Sequence, residues 1–380
     1  MRICVIGLRG LPGVMGGVEK HCEELLPRVL RGARPAEILV LTRACYAPVR
    51  GEFRGVRLIP LWAWRNKYAE ALLHTVFAVF YARFKLRPEI LHIHAIGPAL
   101  MTPLARVLGL RVVVTHHGED YRREKWGLAA RIALRMGEWC AVMCAARVIA
   151  VSPATAADLR ARFPARAERI AFIPNGIPSL GRAVTDLPER LGVAGRPFLL
   201  SVGRLVPEKG FADLLAAQQR LVAAGEAVGP LVIAGEADHA DGFASRLRAS
   251  AGPGVVFAGR VPGEELAQLY RSCTLFVLAS HHEGLPIAAL EALGAGAPVL
   301  LSDIAANRAL ELPAHCYFRV GDQAHLAAKL REPAARFRVA LPDPARFDWD
   351  VIARQTAEVY RQSCGRRGAQ KGSRAAGAPA

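Results

Sequence analysis

The stretch from Ser280 to Asp303 constrains the fold of this chain more than any other, because it sets two carboxylates between two apolar runs. Those runs have the length and composition typical of buried parallel strands. Pro286 suits the first turn of a helix, which places Glu283 in the loop that enters the helix and Glu291 about a turn and a half along it. The stretch therefore predicts an α/β protein with both glutamates at the carboxyl end of a strand, where open sheets bind ligands.

Groups that bind phosphate are predicted at the same end of the sheet. The amides of Gly284 and Leu285 precede the helix, where the helix dipole favours an anion. A second strand, 198–202, leads into a turn flanked by Arg204 and Lys209, and both side chains can reach a diphosphate. A sugar nucleotide offers hydroxyls to the carboxylates and a diphosphate to the cations and amides. A Glu-x7-Glu pattern is common by chance, so this interpretation depends on the other features.

The chain is long enough for more than one core, since it has 380 residues. Strand and helix patterns alternate, stop in a Pro- and Gly-rich segment and then restart. We therefore predict two Rossmann-like, doubly wound domains that face a central cleft. Their expected bounds are 1–178 and 179–348, with a last helix at about 349–362 packed on the first domain and a disordered basic tail at 363–380.

A glycine-rich loop follows the first predicted strand, at 7–17. Its spacing is not the G-x-G-x-x-G of dinucleotide-binding proteins, so a dinucleotide is disfavoured. Gly16 and Gly17 come directly before a helical pattern and let backbone amides approach a ligand closely. The alternative is a tight turn without a ligand.

Histidines follow two predicted strands. His92 and His94 point to one face of a strand and could bind a metal, but the sequence places no third ligand, so no metal site is predicted. His94 is expected to line the cleft at the strand end. His117, next to Gly118, is a candidate catalytic residue, while His116 alternates to the other face or packs. The alternative for His117 is a structural histidine whose hydrogen bonds are satisfied.

The charge is uneven along the chain, whose formal net charge is +17. Residues 1–178 carry 27 Lys and Arg against 13 Asp and Glu, whereas residues 179–360 carry 18 against 20. A basic first half suits an anionic partner, although charge alone does not identify one. The segment from Leu61 to Pro88 has an apolar face with aromatic and basic residues at its ends. It either touches an anionic membrane or forms a core helix with solvated ends.

Several classes of protein are disfavoured. No apolar run reaches the roughly 18 residues that span a bilayer, and the apolar part of the first ten residues is too short for a signal peptide. The eight cysteines contain no C-x-x-C pair, which argues against a zinc site or a disulfide framework. Nucleic acid is not expected, because the aromatics near Arg122 are not arranged for base stacking. We expect a cytoplasmic protein that can work at the inner face of the cell membrane.

The chain resembles the retaining glycosyltransferases of family 4, which have the two-domain GT-B fold. The resemblance covers nearly the whole chain and rests on several motifs in order. They are Gly7-Leu-Arg-Gly10 with Gly16-Gly17, Thr115-His-His117-Gly118, Pro174-Asn175-Gly176, Gly203-Arg204 with Lys209, and Glu283 to Glu291 followed by Gly296-Ala-Pro298-Val. The chain departs from the family where Gly284-Leu285-Pro286 replaces a frequent Gly-Phe-Gly.

The resemblance implies roles for individual residues. Arg204 and Lys209 would hold the diphosphate and stabilise the departing charge, with help from the amides of Gly16 and Gly17. Glu291 would bind the ribose. Glu283, with the amides of Gly284 and Leu285, would bind the donor sugar and phosphate, and His117 would lie near the anomeric carbon. The groups expected on the acceptor side are Arg9, His94, Arg122 and Lys125.

The implied activity is transfer of a hexose or deoxyhexose from a nucleoside-diphosphate sugar, without a metal or other cofactor. The acceptor would be a lipid-linked or glycan molecule in cell-surface polysaccharide synthesis, as in similar bacterial members. Two alternatives stay open at this point. One is another sugar-nucleotide enzyme of the same fold, such as a 2-epimerase, and the other is a basic surface-binding protein without activity.

Overall fold

A computed structural model of the chain describes residues 1–14, 16–33, 37–47, 50–64, 70–122, 126–178, 181–237 and 242–364. The chain divides into two compact units. Unit 1 comprises Met1–Gly176 and the chain from Ala345 onward, and unit 2 comprises Ile177–Pro344. Each unit is a mainly parallel sheet flanked by helices, so the predicted α/β class with two Rossmann-like domains is confirmed.

The elements are numbered in chain order across both units. The strands are β1 (Arg2–Ile6), β2 (Glu37–Arg43), β3 (Gly51–Phe53), β4 (Val56–Leu61), β5 (Ile90–His94), β6 (Val112–His116), β7 (Arg147–Ala150), β8 (Ile170–Phe172), β9 (Leu199–Val202), β10 (Leu231–Ala234), β11 (Val255–Gly259), β12 (Leu275–Leu278), β13 (Val299–Ser302) and β14 (Tyr317–Phe318). The helices are α1 (Gly17–Ala33), α2 (Glu70–Tyr81), α3 (Ile96–Ala99), α4 (Thr102–Val107), α5 (Leu128–Cys144), α6 (Pro153–Arg162), α7 (Leu187–Arg190), α8 (Phe211–Ala223), α9 (Gly242–Ala249), α10 (Gly263–Ser272), α11 (Ile287–Gly294), α12 (Ala305–Arg308), α13 (Gln323–Leu330) and α14 (Trp349–Cys364).

Unit 1 is built on an eight-stranded sheet in the order β3-β4-β2-β1-β5-β6-β7-β8. Its pairs are parallel except for β3 and β4, which form a short antiparallel edge. Successive side chains of β1 alternate between two apolar layers: Cys4 belongs to one and Ile3 to the other. The layer that contains Ile3 also holds Trp349 and Tyr360 of α14, so the last described helix packs on the sheet of unit 1.

Unit 2 is built on a six-stranded parallel sheet in the order β11-β10-β9-β12-β13-β14. In the sequence of its own strands this is 3-2-1-4-5-6, the order of dinucleotide-binding sheets. The order reverses between β9 and β12, and β1 and β5 form the corresponding point in unit 1. Crevices at such reversals, outside the carboxyl ends of the strands, are the usual ligand sites of these sheets.

Several local predictions differ from the structure. The segment from Leu61 to Pro88 is not one helix: α2 is followed by a π-helical turn, Ala82–Leu86, and residues 65–69 lie outside the described residues. The helix after Pro286 begins one residue later than predicted, with Pro286 as its N-cap. None of the helices within the described ranges is both long and apolar enough to cross a bilayer. Most of the predicted tail, residues 365–380, is not described.

Candidate active site

The carboxyl ends of β9 and β12 lie side by side in unit 2, because the two strands pair in parallel. The turn after β9 passes very close to the end of β12. Gly210 in this turn has a φ of 65°, and a Cβ there would lie 2.0 Å from the carbonyl oxygen of Ala279. Only glycine fits such a position. The close approach brings Lys209, the residue before it, next to the loop that follows β12.

Lys209 and Glu283 form an ion pair at this point. The Lys209 ammonium donates to Oε1 of Glu283 over 2.5 Å, and the two side chains are 16% and 12% exposed. The Ser280 hydroxyl donates to the same oxygen over 2.7 Å. The amide of His281 donates to the carbonyl oxygen of Glu208, which ties the two loops together. Two of the predicted site residues are therefore in direct contact, held by a serine that sequence reasoning missed.

Glu291 lies on α11, the helix that starts beyond this loop, and is 8% exposed. The hydroxyl of Tyr270, on α10, donates to Oε2 of Glu291 over 3.0 Å. Burial raises the pKa of Tyr270 well above its ordinary value, and the nearby Glu291 charge adds to the effect. Tyr270 is therefore a neutral donor that orients the carboxylate. No sequence signal pointed to it, because it lies 21 residues away on another helix.

The remaining predicted groups of unit 2 lie around the same strand ends. Arg204 follows β9 by two residues and is half-buried. Gly284 is half-buried and Leu285 is buried, directly before the N-terminus of α11. His281, beside them, pairs with Asp213 over 2.6 Å. Cations, carboxylates and a helix N-terminus thus occupy the strand-order reversal of unit 2, which is a suitable set for a sugar diphosphate.

The glycine-rich loop of unit 1 encloses a buried carboxylate. Gly16 has a φ of 155°, and a Cβ there would lie 2.0 Å from Oε2 of Glu19. Oε1 of Glu19 accepts from the amide of Arg9 over 2.9 Å. Burial raises the pKa of Glu19, against the opposing effect of the Arg9 amide and charge. The loop places Gly17 at the first position of α1, where its amide is at the positive end of the helix dipole.

A cluster of imidazoles occupies the strand-order reversal of unit 1. Nδ1 of His94 and Nε2 of His117 are 2.9 Å apart, and the ring of His21 lies 4.9 Å from the ring of His117. Nδ1 of His21 bonds Oδ1 of Asn175 over 2.8 Å. Burial lowers the pKa of His94 and of His117 well below the ordinary value, and the neighbouring imidazoles add to the effect. These rings are therefore neutral at pH 7.

His116 points away from this cluster, as strand alternation predicts. It is completely buried, and its Nε2 lies 3.0 Å from Oε2 of Glu138. Arg162 also pairs with Glu138, over 2.7 Å. Burial by itself raises the pKa of Glu138, but the hydrogen bonds from His116 and Arg162 outweigh it, and the pKa is lowered. His117, by contrast, is half-buried and faces the other histidines.

Comparisons with known proteins agree with this geometry. The family profile described as Glycosyltransferase Family 4 matches residues 15–179, and the one described as Glycosyl transferases group 1 matches residues 185–332. The glycogen synthase of Mycobacterium tuberculosis is 29% identical to the chain, over 95% of this chain and 94% of its own. The chain belongs to the family 4 glycosyltransferases.

Solved structures show the same fold over nearly the full length of this glycosyltransferase. Sucrose-phosphate synthase from Thermosynechococcus elongatus superposes with a TM-score of 0.78 and 23% identity, over 95% of this chain and 98% of its own. HepE of Anabaena, solved in complex with UDP-glucose, gives a TM-score of 0.75 and 19% identity, over 95% and 99%. The glycosyltransferase therefore has the GT-B fold, as the sequence motifs predict.

The residues predicted on the acceptor side of the glycosyltransferase have different surroundings. The Arg9 guanidinium lies over the ring of Tyr46, with 5.4 Å to its centroid. Arg122 is exposed and pairs with Glu119 over 2.8 Å. His94 was expected to line a cleft. It is completely buried, and its ring contacts His117 instead. Lys125 lies outside the described residues.

Proposed function

We propose that this glycosyltransferase is a retaining enzyme that uses a nucleoside-diphosphate sugar to extend a lipid-linked or glycan acceptor in cell-surface polysaccharide synthesis. The observation that carries the proposal is the contact of Lys209 with Glu283 at the strand-order reversal of unit 2. An ammonium group at this place can bind the charged diphosphate, and a carboxylate can accept from the hydroxyls of the sugar.

Each group has a definable part in the reaction. Breaking the bond between sugar and diphosphate leaves negative charge on the nucleoside diphosphate, and Lys209 and Arg204 stabilise that charge in place of a metal ion. The amides at the N-terminus of α11 add to this stabilisation. Glu283 accepts from sugar hydroxyls, and Glu291, oriented by Tyr270, accepts from the ribose. The donor sugar keeps its anomeric configuration because the acceptor attacks on the face that the leaving group departs from.

Lys209 also changes partner when the donor binds. With no donor, its charge is balanced by Glu283 over 2.5 Å. A diphosphate brings more negative charge than a single carboxylate, so the ammonium turns to the phosphate and Glu283 becomes available to the sugar. The contact to Ser280 keeps the carboxylate in place during this exchange.

The relatives support a nucleotide-sugar donor and leave the acceptor open. HepE was solved with UDP-glucose, and an N-acetyl-D-glucosaminyltransferase of Streptomyces fradiae that acts on 2-deoxystreptamine is 29% identical over 72% of this chain and 66% of its own. The relative from Mycobacterium tuberculosis is named a glycogen synthase, and glycogen is a glucan. Since relatives with such different acceptors share this chain's fold, the acceptor must be inferred from unit 1.

Unit 1 carries an apolar surface that suits an acceptor on a lipid. Aromatic side chains are exposed before α2, on the second half of α2 and in the turn that follows it. Helix α5, which like α2 contacts α3, exposes a second apolar stripe. Basic residues Arg83 and Lys85 lie in the π-helical turn that follows α2. Exposed aromatics beside cations are typical of surfaces that bind anionic membranes. The exposed apolar side chains are Trp62, Trp64, Phe77, Phe80, Phe84, Leu128, Ile132, Met136 and Trp139.

Donor use is tested first with a thermal-shift panel of nucleoside diphosphates and their sugars, because a ligand of the folded state raises its melting temperature. Turnover of the best donor is then measured for Lys209→Met and Glu291→Gln. We expect kcat to fall about 100-fold for Lys209→Met, since one donor to the leaving-group charge is lost. Lys329→Met is the matched control. Lys329 is another lysine of unit 2, 14% exposed and paired with Glu332 over 3.0 Å.

The outcomes separate the alternatives. Loss of turnover in Lys209→Met and Glu291→Gln, with Lys329→Met unaffected, supports the proposed donor site. Full turnover in both site variants contradicts it. Donor consumption that needs no acceptor identifies a 2-epimerase or a hydrolase instead. Membership of a transferase family already disfavours a basic protein without activity.

Membrane contact is tested by sedimentation with vesicles that contain an anionic lipid. We expect Phe84→Ser to lower the partition coefficient about tenfold, because the ring no longer enters the interface. Val184→Ser, at an exposed apolar position of unit 2, is the control. Equal binding by both variants and the wild type would refute this surface as the contact.

A further inference from the structure

Three histidines from distant parts of unit 1 meet at its strand-order reversal. His21 lies on α1, His94 ends β5, and His117 follows β6. One ring nitrogen from each lies within 4.8 Å of the other two. Among the described residues this is the one group of three or more metal-ligating side chains that comes so close together.

His21 is held in the form that binds metal. It is 3% exposed, and its Nδ1 donates to Oδ1 of Asn175 over 2.8 Å. That bond fixes the tautomer, so Nε2 carries a lone pair. Nε2 is buried and has no hydrogen-bond partner within the described part of the chain. Metal-ligating histidines commonly donate their second nitrogen to an oxygen in this way.

His94 and His117 complete the set. Their nitrogens, Nδ1 of His94 and Nε2 of His117, share one proton across 2.9 Å. Two ligands of a tetrahedral ion are about 3.3 Å apart, given metal–nitrogen bonds of about 2.05 Å. An ion could therefore take the place of the shared proton if the two nitrogens moved slightly apart and the ring of His21 moved closer to them. Burial already keeps all three rings neutral, which is the protonation state that a metal requires.

We propose that His21, His94 and His117 bind a Zn²⁺ ion. Three neutral imidazoles are the ligand set of open zinc sites, in which the fourth position takes water or another ligand. The hard ions Mg²⁺ and Ca²⁺ prefer oxygen ligands and are not expected here. The fourth position opens on the side of His117, the half-buried member of the three.

Zinc binding has a consequence for transfer, and this step rests on the proposed function. The resemblance places His117 near the anomeric carbon of the donor sugar. An ion on Nε2 of His117, the nitrogen that contacts His94, would hold this ring in place and add positive charge beside the anomeric carbon, where positive charge also develops as the bond to the diphosphate breaks. Zn²⁺ therefore inhibits a transfer reaction that itself needs no metal.

The test measures ion binding to the full chain without donor, so it does not depend on the activity. Co²⁺ is used as a spectroscopic probe, because a tetrahedral site gives intense visible absorption, and Zn²⁺ affinity follows from displacement of Co²⁺. We expect one ion per chain. His21→Gln should abolish the visible bands, and Asn175→Ala, which removes the group that orients His21, should weaken affinity about 10–100-fold. His74→Gln, at another buried histidine of unit 1, should bind like the wild type.

Absence of the visible bands in the wild type would overturn the site. So would equal binding by His21→Gln, or an equal loss in His74→Gln. If His21→Gln does not fold, Asn175→Ala decides between the same outcomes. Zinc inhibition of transfer that disappears in Asn175→Ala supports the inhibitory role, whereas metal binding without inhibition overturns that role and leaves the site in place. A chain that binds Zn²⁺ but turns over no donor contradicts the proposed function alone.

Discussion

The ion pair of Lys209 and Glu283 contributes to the stability of the candidate donor site, and its coupling free energy can be measured. The ammonium and carboxylate are 2.5 Å apart, with 16% and 12% of the side chains exposed. A surface pair contributes about 0–1 kcal/mol, and removing one partner of a fully buried pair costs about 3–5 kcal/mol. The exposed fractions place this pair between these limits, so we expect a coupling energy of about 2 kcal/mol.

A double-mutant cycle isolates that coupling. Lys209→Met keeps the aliphatic stem of the lysine, and Glu283→Gln keeps the shape of the carboxylate. Each change alone should lower the free energy of unfolding of unit 2 by about 2–3 kcal/mol, because it leaves a charge without its partner. The double variant should lower it by about as much as one single variant, since neither charge then remains.

Hydrogen exchange under increasing urea gives the free energy for each unit separately. Peptides that cover β12 report unit 2, and peptides that cover β5 report unit 1 as the internal reference. Additivity of the two single changes within about 0.5 kcal/mol would refute the coupling. A change of protection in β5 as large as in β12 would show that the substitutions act outside the site.

Three further predictions follow from single contacts. Tyr270→Phe should lower the free energy of unfolding of unit 2 by about 1.5 kcal/mol and raise the nucleotide Kd about tenfold, since Glu291 loses its orienting donor. The Kd is measured by calorimetry, and an unchanged value would contradict that role. Gly210→Ala should destabilise unit 2 by at least about 2 kcal/mol, because its φ is 65° and its new Cβ would lie 2.0 Å from the carbonyl oxygen of Ala279. An unchanged urea midpoint would disprove this. Burial lowers the pKa of His74 to about 4, so the unfolded state binds more protons between that value and about 6.5, and stability is lost as the pH falls through this window. As the pH falls from about 7.5 to 5.5, the wild type should lose about 1.4 kcal/mol more of its free energy of unfolding than His74→Gln. If the free energies of the two proteins changed equally with pH, the lowered pKa of His74 would be refuted.

Much of the fold was predictable because its signals are local. Most of the strands are short apolar runs, and glycine directly follows several of them, as Gly7 follows β1, Gly203 follows β9 and Gly235 follows β10. Asp348 caps the last helix, a role that its residue type and its place directly before Trp349 favour: its Oδ1 accepts from the amides of Asp350 and Val351 over 2.7 and 3.0 Å. The antiparallel strand β3 was missed, because Gly51–Phe53 has no apolar run to mark it and forms only by pairing with β4.

The candidate donor groups were also predictable, for a related reason. Arg204, Lys209 and Glu283 lie in the segments that follow β9 and β12, and the carboxyl ends of parallel strands share one edge of a sheet. Their mutual contacts were not predictable from spacing. Tyr270 reaches Glu291 from another helix, and Ser280 shares an oxygen of Glu283 with the lysine. A partner in such a contact is set by helix packing, which leaves no periodic trace in the sequence.

The sequence by itself determined the order of strands and helices, the glycines that allow tight turns and the residue types at each strand end, because these depend on neighbours along the chain. The tertiary structure alone decided which of those residues meet. Asn175 follows His21 by 154 residues, yet its oxygen fixes the proton of that imidazole. Sheet order brings α1, β5 and β6 to one place, and the burial that results turns three scattered histidines into one set of neutral ligands. Burial and long-range pairing are properties of the packed sheet, so no single stretch of the chain contains them.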